Sequence, residues 1–462
     1  MMPALKLSVL TLAMLLAGCA SVSINENLAA TQDFAKEKLQ AEPRWLASDK
    51  DRQEADDEVK AALDKPLMMD DAVRIALRYS PSFQIILAES AAASADTTRA
   101  ARLSNPVFSF EKMLRIDSGV RELEITRSLA FSLFEVLTLP SRIQIANAQQ
   151  QRLRMQAATD TVLAATEARQ TWIRAVAARQ AALYAEQVMR SAEVGAELAR
   201  RMQAAGNFSR LQRAREQVFY ADATAQLARA RQLEHACREA LIRRLGLNAE
   251  QVARLSLPER LPDLPAAPRD EKSIAQTALD ERLDVRLARF NLDATARAAG
   301  LTRVESIVNG LTVSVANKSE SEKPMQRGYQ LEVPLPIFDF GDATRANAQA
   351  QYMSAFYRTA QTAVDASSQV RQSYFDYRTA YDLTKHYRDE IVPLRKTISE
   401  ETQLQYNGML IGVFELLADA REQASSVIAA IDAQRDFWLA DVALQANLIG
   451  KPLALSMKTG SD

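Results

Sequence analysis

Apolar and polar residues alternate in two separate parts of this 462-residue chain. The first part centres on the run VRELEITRSLA, in which Leu123, Ile125 and Leu129 occupy alternate positions. The second part lies on either side of the polar loop NKSESEKP. Alternation with one apolar face is typical of β-strands that separate two different surroundings. We therefore predict one β-hairpin at about 105–135 and another at about 309–337, which together give four strands.

Each predicted hairpin is followed by a long helical stretch. Residues 141–204 contain no proline and one glycine, and at 1.5 Å per residue they would span roughly 95 Å. The matching stretch, from about Asp342 to Asn407, contains Pro393, where we expect a kink. Alanine is frequent and is accompanied by spaced larger residues that suit close helix packing, such as Trp172, Val176 and Leu183. We predict one helical hairpin at about 141–246 and another at about 341–450.

Two pairs of similar sequence segments indicate an internal duplication. IANAQQQ begins at Ile145 and RANAQAQ at Arg345, while GNFSRLQRAREQ begins at Gly206 and GVFELLADAREQ at Gly412. The segments recur in the same order, which favours duplication over chance similarity between alanine-rich helices. We divide this part of the chain into a first repeat, a proline-rich linker, a second repeat and a C-terminal tail: 67–256, 257–269, 270–455 and 456–462.

The N-terminus has the features of a secretory signal. Lys6 precedes an apolar run that is too short to span a bilayer, and the run is followed by LAGC, which resembles the bacterial lipobox. We therefore expect a signal peptide at 1–18, lipid attachment at Cys19 and an irregular tether at 19–66 with one short helix. Ala20 favours outer-membrane sorting. The alternative is an ordinary signal peptide with an unmodified cysteine.

Charge and composition exclude several function classes. The chain has 57 Lys and Arg against 58 Asp and Glu, for a net charge of −1, which removes the usual electrostatic reason to propose nucleic acid as a partner. His235 and His386 lie far apart without a cluster of ligand residues, so we predict no metal and no cofactor. There is no glycine-rich phosphate loop and no nucleophile beside a base, so we predict no enzyme activity. Cys237 is expected to be packed and inert, without a disulfide.

Four strands do not close a membrane barrel. The smallest single-chain barrels need about eight strands, and an open sheet edge in lipid leaves backbone groups unpaired. If these strands lie in a membrane, the chain must form an oligomer, and three copies would supply twelve strands. The alternative is a small soluble sheet packed against helices.

From about Asp70 to Leu453 the chain resembles the TolC family of bacterial outer-membrane efflux proteins, because several characteristic segments occur in the same order. EVPLPIFDFGDATRANAQAQ is similar to the family's passage from barrel hairpin to long helix, and EIVPLRKTISEETQLQYNGML to the approach to the second helical tip. GNFSRL resembles the first tip and LIRRLGL the helix end before the linker. The first repeat departs from the family at FSLFEVLTLPSR, where Pro140 stands near the junction and the usual glycine is missing.

The resemblance implies a mainly α fold with membrane β: a homotrimer with a twelve-stranded outer-membrane barrel above a periplasmic α-helical barrel of coiled-coil hairpins. It implies a passive channel in a tripartite efflux or type I secretion system of the Gram-negative outer membrane, with a periplasmic adaptor protein and an inner-membrane pump as partners. Polar strand positions would line water, namely Glu122, Glu124, Thr126 and Ser128. Leu123 and Ile125 would meet lipid, while Arg127 falls on the apolar parity and lies either near the headgroups or at a register slip.

The resemblance also implies a gate at the periplasmic tip. Glu415 matches the family's first acidic position, while Ala418 stands where a second acid is often found and Asp419 follows it. Tyr406 and Arg421 are expected to help hold the tip shut. A ring of three carboxylates in a narrow neck would favour cations; the alternative is that these acids are solvated surface charges. The expected adaptor-docking positions lie at the two tips, at Gly206, Asn207, Ser209, Gly408 and Gly412.

Two functions without a pore remain as alternatives. A lipid-anchored periplasmic coiled-coil scaffold would keep the helices but has no need for paired hairpins with one apolar face. A periplasmic adaptor normally has one helical hairpin inserted into β modules rich in glycine and valine, whereas two hairpins are predicted here. The 13 methionines are scattered, which gives no indication of a copper or silver route, and the sequence leaves the cargo open.

Overall fold

The computed structural model describes residues 32–37, 39, 41–117, 120–270, 282–305, 311–321, 323–333 and 340–450. Most of these residues are helical. The main helices, numbered along the chain, are α1 Asp49–Leu63, α2 Met69–Arg78, α3 Pro81–Ala100, α4 Leu133–Ala204, α5 Arg210–Leu245, α6 Ala249–Arg254, α7 Leu283–Glu305, α8 Asp342–His386, α9 Val392–Asn407 and α10 Val413–Ile449. The strands are β1 Val107–Asp117, β2 Val120–Ser132, β3 Thr312–Glu320 and β4 Gln326–Glu332.

The four strands form one antiparallel sheet in the order β1-β2-β3-β4. Within it, Phe110 pairs with Arg127, Arg127 with Asn317, and Asn317 with Arg327. Both predicted hairpins are thus confirmed, and they lie side by side. Strands β1 and β4 are the edges of the sheet in the described part of the chain.

The sheet belongs to a first compact unit formed by Ala88–Gln156 and Val285–Ala363. At the helix end of the sheet, the N–H groups of Leu133 and Phe134 both donate to the carbonyl of Leu311, at 3.0 and 3.3 Å. These bonds join the start of α4 to the residue before β3.

Helix α4 begins earlier than predicted. It starts at Leu133 instead of Ser141 and contains Pro140 in its interior. Proline removes one helical hydrogen bond, but the surrounding side chains fix this segment. Arg142 donates to the carbonyls of Ala100 and Arg102 at 2.7 and 3.2 Å, and the Ser104 N–H donates to Glu135 at 2.8 Å. The hydrogen bond from the Ser104 N–H lowers the pKa of Glu135, and the nearby positive charge of Arg142 lowers it further.

The kink predicted at Pro393 takes the form of a π-helical turn. Residues Tyr387–Ile391 form that turn between α8 and α9, and the N–H of Val392 donates to the carbonyl of Tyr387 five residues earlier. A proline cannot donate a backbone hydrogen bond and clashes with the carbonyl four residues before it. The wider turn lets the helix continue past Pro393.

The second compact unit contains the described parts of Leu28–Leu87, Ala157–Asp284 and Val364–Asp462. Its core includes Tyr377, Tyr381 and Phe437, whose rings lie 5.7–5.8 Å apart across α8 and α10. Along α4, Trp172 and Val176 are buried as the predicted packing requires. Leu183 is 40% exposed, so its expected burial is not seen within one chain.

The proline-rich linker is packed against this core. The Tyr381 hydroxyl donates to the carbonyls of Pro265 and Ala266, each at 3.1 Å, and the Trp438 indole N–H donates to the carbonyl of Pro262 at 3.0 Å. Leu264 belongs to the same cluster. Proline composition indicated a connector, but the side chains that fix it lie far away in the sequence.

The segment expected to be an irregular tether with one short helix does contain a helix, α1, but that helix is packed against the rest of the unit. In α1, Ala55, Val59 and Leu63 are buried, and Ser48 caps the helix by accepting a hydrogen bond from Asp51. The Leu46 N–H donates to Gln84 at 3.0 Å, which ties the residues before α1 to α3. The buried positions recur every four residues along one face of the helix. The polar residues between them hid this face when only the composition of the segment was considered.

Two glycines in the left-handed conformation give a matched test of local packing. Gly246 has φ +72°, and a Cβ there would lie 2.2 Å from Pro81 Cδ, whereas Gly206 has φ +79° and open space around it. We predict that Gly206→Ala destabilises the chain by about 1 kcal/mol, the left-handed penalty alone, and that Gly246→Ala costs at least about 2 kcal/mol more through overpacking. Urea denaturation of both variants measures the difference, and equal losses would contradict the predicted clash.

Candidate functional site

The first helical tip joins α4 to α5. Gly206 adopts the left-handed conformation there, and the Asn207 N–H donates to the carbonyl of Met202 at 2.9 Å. Ser209 begins α5 with a capping box, since its hydroxyl accepts from the Gln212 N–H at 3.2 Å and its own N–H donates to the Gln212 side chain at 2.7 Å. The predicted tip residues therefore have defined structural roles in the turn.

The second tip joins α9 to α10 and presents apolar side chains. Met409 is 93% exposed and Leu410 is 79% exposed. Met409 has φ 58°, a conformation that is uncommon for a residue with a side chain, whereas the neighbouring Gly408 has φ −78°. From the sequence we predicted Gly408 and Gly412 as tip residues but not Met409 and Leu410. The indication was the apolar run MLI within YNGMLIG, a segment predicted to form a turn.

Glu415, the first candidate gate residue, acts as a helix cap in this structure. Its carboxylate accepts a hydrogen bond from the Gly412 N–H at 2.9 Å, and its side chain is exposed. An acid in the first turn also interacts favourably with the helix dipole. The arrangement gives Glu415 a role in shaping the tip and leaves its charge accessible to water.

Arg421 pairs with a buried acid on another helix. Its Nη2 lies 2.5 Å from Oε1 of Glu216 on α5, and Glu216 is 1% exposed. The guanidinium also lies over the ring of Phe219, 4.7 Å from the centroid. Burial makes this pair sensitive to the loss of either partner, because an unpaired charge would be left without water.

Glu216 was not predicted from the sequence, although the duplication points to it. The two similar segments at the tips end in the same three residues, Arg215-Glu216-Gln217 and Arg421-Glu422-Gln423. The arginine of the second segment, Arg421, donates a hydrogen bond to the glutamate of the first segment, Glu216. The corresponding Glu422 pairs instead with Arg395 at 2.5 Å, and both of these side chains are solvent-accessible.

Close helix packing surrounds the pair. A Cβ on Gly195 of α4 would lie 3.4 Å from the Leu417 side chain and 3.8 Å from Glu216 Oε2. Asp419 has a buried carboxylate oxygen without a hydrogen-bond partner among the described residues. Thus α4, α5 and α10 converge at Glu216, and the half-buried Asp419 lies two residues before Arg421 on α10.

Tyr406 and Arg421 are not brought together within the chain. Among the described residues, no hydrogen bond joins them, and Arg421 donates to Glu216 instead. Tyr406 lies in the last turn of α9 and is 36% exposed, and its backbone carbonyl accepts from the Met409 N–H at 3.0 Å.

Nearer the first tip, hydrogen bonds from Arg200 and then Arg201 lower the pKa of Glu197 to about 2, so this acid stays charged.

The polar face of the sheet carries the strand residues expected to line water. Lys318 pairs with Glu124 at 2.7 Å and with Glu320 at 3.0 Å. In register, Glu122 pairs with Arg115, Thr126 with Glu111 and Lys318, and Ser128 with Ser109 and Ala316. The four predicted residues thus share one face. Arg127 lies on the other face, where its guanidinium is 5.9 Å from the Phe110 ring centroid, so β2 runs without a register slip there.

Other predicted chemistry falls outside these sites. Cys19 lies outside the described residues. Cys237 is a free, half-buried thiol whose pKa is raised by burial. In the part of the chain that the structure describes, no group of three or more His, Cys, Asp or Glu side chains is arranged to hold a metal ion.

The described helices also have limited apolar character. Within the described ranges, none is both long and apolar enough to cross a bilayer.

Solved structures share this fold. A membrane protein from Pseudomonas aeruginosa matches with a TM-score of 0.70 and 19% identity, covering 82% of this chain and 93% of that one. The outer membrane protein VceC from Vibrio cholerae matches with 0.68 and 15%, covering 83% and 96%. The CmeC outer membrane channel of Campylobacter jejuni matches with 0.67 and 13%, covering 86% and 85%. No protein-family model and no curated protein matches the sequence. The chain therefore has the fold of these outer membrane proteins.

Proposed function

We propose that this protein is the outer-membrane channel of a tripartite efflux or type I secretion system and conducts substrates passively from an inner-membrane pump. The likeness to outer membrane channels across more than four-fifths of the chain supports this proposal. The organisation of the described chain, with long helices next to a small sheet that has one apolar face, is consistent with a conduit and differs from a compact enzyme domain.

The observation that carries the proposal is the open four-stranded sheet. Within lipid, unpaired backbone groups on β1 and β4 would each cost several kcal/mol, roughly, so these edges must pair with other copies. Three copies supply the twelve strands of a closed barrel. We infer a homotrimer, in which β4 of one copy pairs with β1 of the next.

The two faces of the sheet then have different surroundings. The lumen is lined by the polar positions Glu122, Glu124, Thr126 and Ser128, and the opposite face meets lipid. Large apolar side chains on that face support this assignment because they are exposed in the single chain, including Phe108, Phe110, Leu129, Phe131, Val315, Tyr329 and Leu331. Exposed apolar area on this scale marks an interaction surface.

Neighbouring cysteines on β2 test the assignment of the faces. In a Cys237→Ser background, Ser128→Cys should react with a charged, membrane-impermeant thiol reagent at least about tenfold faster than Leu129→Cys in proteoliposomes, because the reactive thiolate requires water. The two positions are adjacent in the chain and differ only in face. Equal rates, or faster reaction at Leu129, would contradict the assignment.

We infer that the Arg421–Glu216 pair holds the periplasmic tip closed. The pair joins α10 to α5, so that separating the second tip from the first would expose a buried carboxylate. In the trimer, Glu415 and Asp419 of three copies would place carboxylates around the neck and favour cations. We expect Tyr406, half-exposed at the end of α9, to contact a neighbouring copy in the trimer.

The two tips are the proposed docking surface for a periplasmic adaptor, which in turn contacts the pump. The exposed side chains of Met409 and Leu410 support this part of the proposal, since they add apolar area to the expected positions Gly206, Asn207, Ser209, Gly408 and Gly412. Flexible apolar side chains such as methionine are well suited to such binding surfaces.

The sequence motif at the N-terminus completes the proposed topology. Cleavage before Cys19 and acylation of its thiol would anchor the chain to the outer-membrane lipid, with the tether beginning on the periplasmic side. The chain then consists of the two proposed repeats, 67–256 and 270–455, joined by the linker at 257–269.

A further inference from the structure

The apolar face of the sheet carries basic side chains but no acids. Among the described strand side chains, every acid lies at the alternate register positions of the polar face, namely Glu111, Glu122, Glu124, Glu320 and Glu332. The apolar face instead has Lys112, Arg121, Arg127 and Arg327, all exposed. Among the described residues, none of these four forms an ion pair, whereas Lys318 on the polar face has two acidic partners. The apolar face therefore carries positive charges only, whereas the polar face carries the acids together with Arg115 and Lys318.

Three of these cations form a cluster, which we call the cationic patch: Lys112, Arg127 and Arg327. Arg127 and Arg327 lie in one row across the sheet with Asn317 between them, so that their Cα atoms are about 10 Å apart at the usual strand spacing. Lys112 pairs with Ile125, one row nearer the hairpin turns and diagonal to Arg127, at about 7–8 Å. Three positive charges thus share a small area.

The cationic patch lies where the apolar band of β3 and β4 ends. On this face Val313 and Val315 are followed by Asn317, and Leu331 and Tyr329 by Arg327. Tyr329 is 84% exposed and occupies the last apolar row, the position at which aromatic residues mark the edge of the hydrocarbon region. Arginine and lysine just beyond such an edge reach the headgroup layer.

The ends of the strands show which leaflet this edge faces. Both hairpin turns lie at one end of the sheet, and α4 and α8 begin at the other. If the helices extend into the periplasm, as the proposed function requires, the turns face outward. The cationic patch then lies at the headgroups of the outer leaflet.

We propose that the cationic patch binds the phosphate groups of a bisphosphorylated glycolipid of the lipid A type in the outer leaflet. Arginine matches phosphate through bidentate hydrogen bonds, and lysine adds a point charge. The absence of acids from the described strand positions of this face removes repulsion of the phosphates. This inference rests on the proposed outer-membrane function, which fixes the orientation of the sheet.

Native mass spectrometry of the detergent-solubilised full chain tests the proposal. Bisphosphorylated lipid A and its dephosphorylated form are titrated against the unchanged protein, the triple variant Lys112→Gln/Arg127→Gln/Arg327→Gln, and the control Arg121→Gln. Arg121 lies on the same face, two rows and roughly 14 Å beyond Lys112 toward the turn, so its replacement removes one similar charge outside the cationic patch.

The unchanged protein and Arg121→Gln should bind the bisphosphorylated lipid alike and should prefer it to the dephosphorylated form. The triple variant should bind it at least about twentyfold more weakly, since one basic residue near an anionic surface contributes about fivefold. Equal binding of both lipids by the unchanged protein, or an unchanged affinity in the triple variant, would overturn the proposal.

Conductance of the same preparations in planar bilayers separates this proposal from the proposed function. If the triple variant conducts and its lipid affinity is unchanged, only the lipid proposal fails. If neither the unchanged protein nor Arg421→Ala, in which the tip is expected to open, forms a conducting pore, the outer-membrane function fails, and with it the orientation on which the lipid site depends.

Discussion

Arg421→Ala should open the periplasmic tip and raise the conductance of the reconstituted channel. The substitution leaves Glu216 with 1% exposure and without its partner, and it also removes the cation above the Phe219 ring. Breaking one side of a buried ion pair costs about 3–5 kcal/mol. The lower figure applies here because the Arg421 side chain is 30% exposed.

This energy is large enough to change the population of closed channels. A loss of about 3 kcal/mol in the closed state shifts the closed-to-open equilibrium by a factor of roughly 100. The unpaired Glu216 carboxylate is stabilised when the helices separate and water reaches it, which favours the open tip. Single-channel recording in planar bilayers measures the effect directly.

Arg395→Ala is the matched control for this prediction. Arg395 pairs with Glu422 at the same distance of 2.5 Å, but the two side chains are 32% and 62% exposed. Exposed pairs contribute about 0–1 kcal/mol, so Arg395→Ala should leave the conductance near that of the unchanged protein. If Arg421→Ala conducts no better than Arg395→Ala, the Arg421–Glu216 pair does not hold the tip closed.

Trp172→Ala should cause the largest loss of stability among single substitutions in the second unit. Trp172 is 1% exposed, and its indole N–H donates to the carbonyl of Leu67 at 2.7 Å. The Leu67 N–H in turn donates to the carbonyl of Ser256 at 2.9 Å, so Trp172 supports a junction between three segments. Replacing a buried aromatic side chain by alanine costs about 3–5 kcal/mol, and the orphaned carbonyl adds to this loss.

Trp438→Ala provides the comparison for Trp172. Its indole N–H also donates to a backbone carbonyl, that of Pro262 at 3.0 Å, but the ring is only partly buried. We expect a loss of about 1–2 kcal/mol, in proportion to the smaller area removed from water. Urea midpoints for both variants in the same detergent measure the difference, and a loss at Trp438 as large as that at Trp172 would show that burial does not set the effect.

The strands could be predicted from the sequence because their environment imposes a period of two. Leu123, Ile125 and Leu129 share a face with Arg127, as their parity required. The pairing of β2 with β3 could not be predicted in the same way, because Leu129 and Val315 meet across more than 180 residues. Periodicity assigns each side chain to a face but says nothing about which strand lies beside it.

Helix ends were less predictable than helix existence. Pro140 suggested that α4 begins at about Ser141, whereas contacts made by Glu135 and Arg142 with the segment after α3 keep the earlier residues helical. Pro393 indicated a kink, but the sequence did not show that a π-helical turn would precede it. In both cases tertiary contacts or local repacking offset the unfavourable proline.

The candidate gate shows the same division between local and long-range information. Glu415 was identified by resemblance to an acidic position of the family, and Gly412 as part of the predicted tip; the hydrogen bond between them follows the local rules of a helix start. The partner of Arg421 was not identified, since Glu216 lies on another helix and acquires its importance from burial. The backbone conformation of Met409 was equally hidden, because the adjacent Gly408 is the residue that favours a left-handed turn.

Native mass spectrometry of the detergent-extracted mature protein tests the central claim most directly. A shared barrel predicts a trimer, and the proposed anchor predicts subunits that begin at Cys19 and carry additional acyl mass. A monomer would contradict the shared barrel, because the four strands of one chain cannot close a membrane pore, and it would favour a periplasmic scaffold.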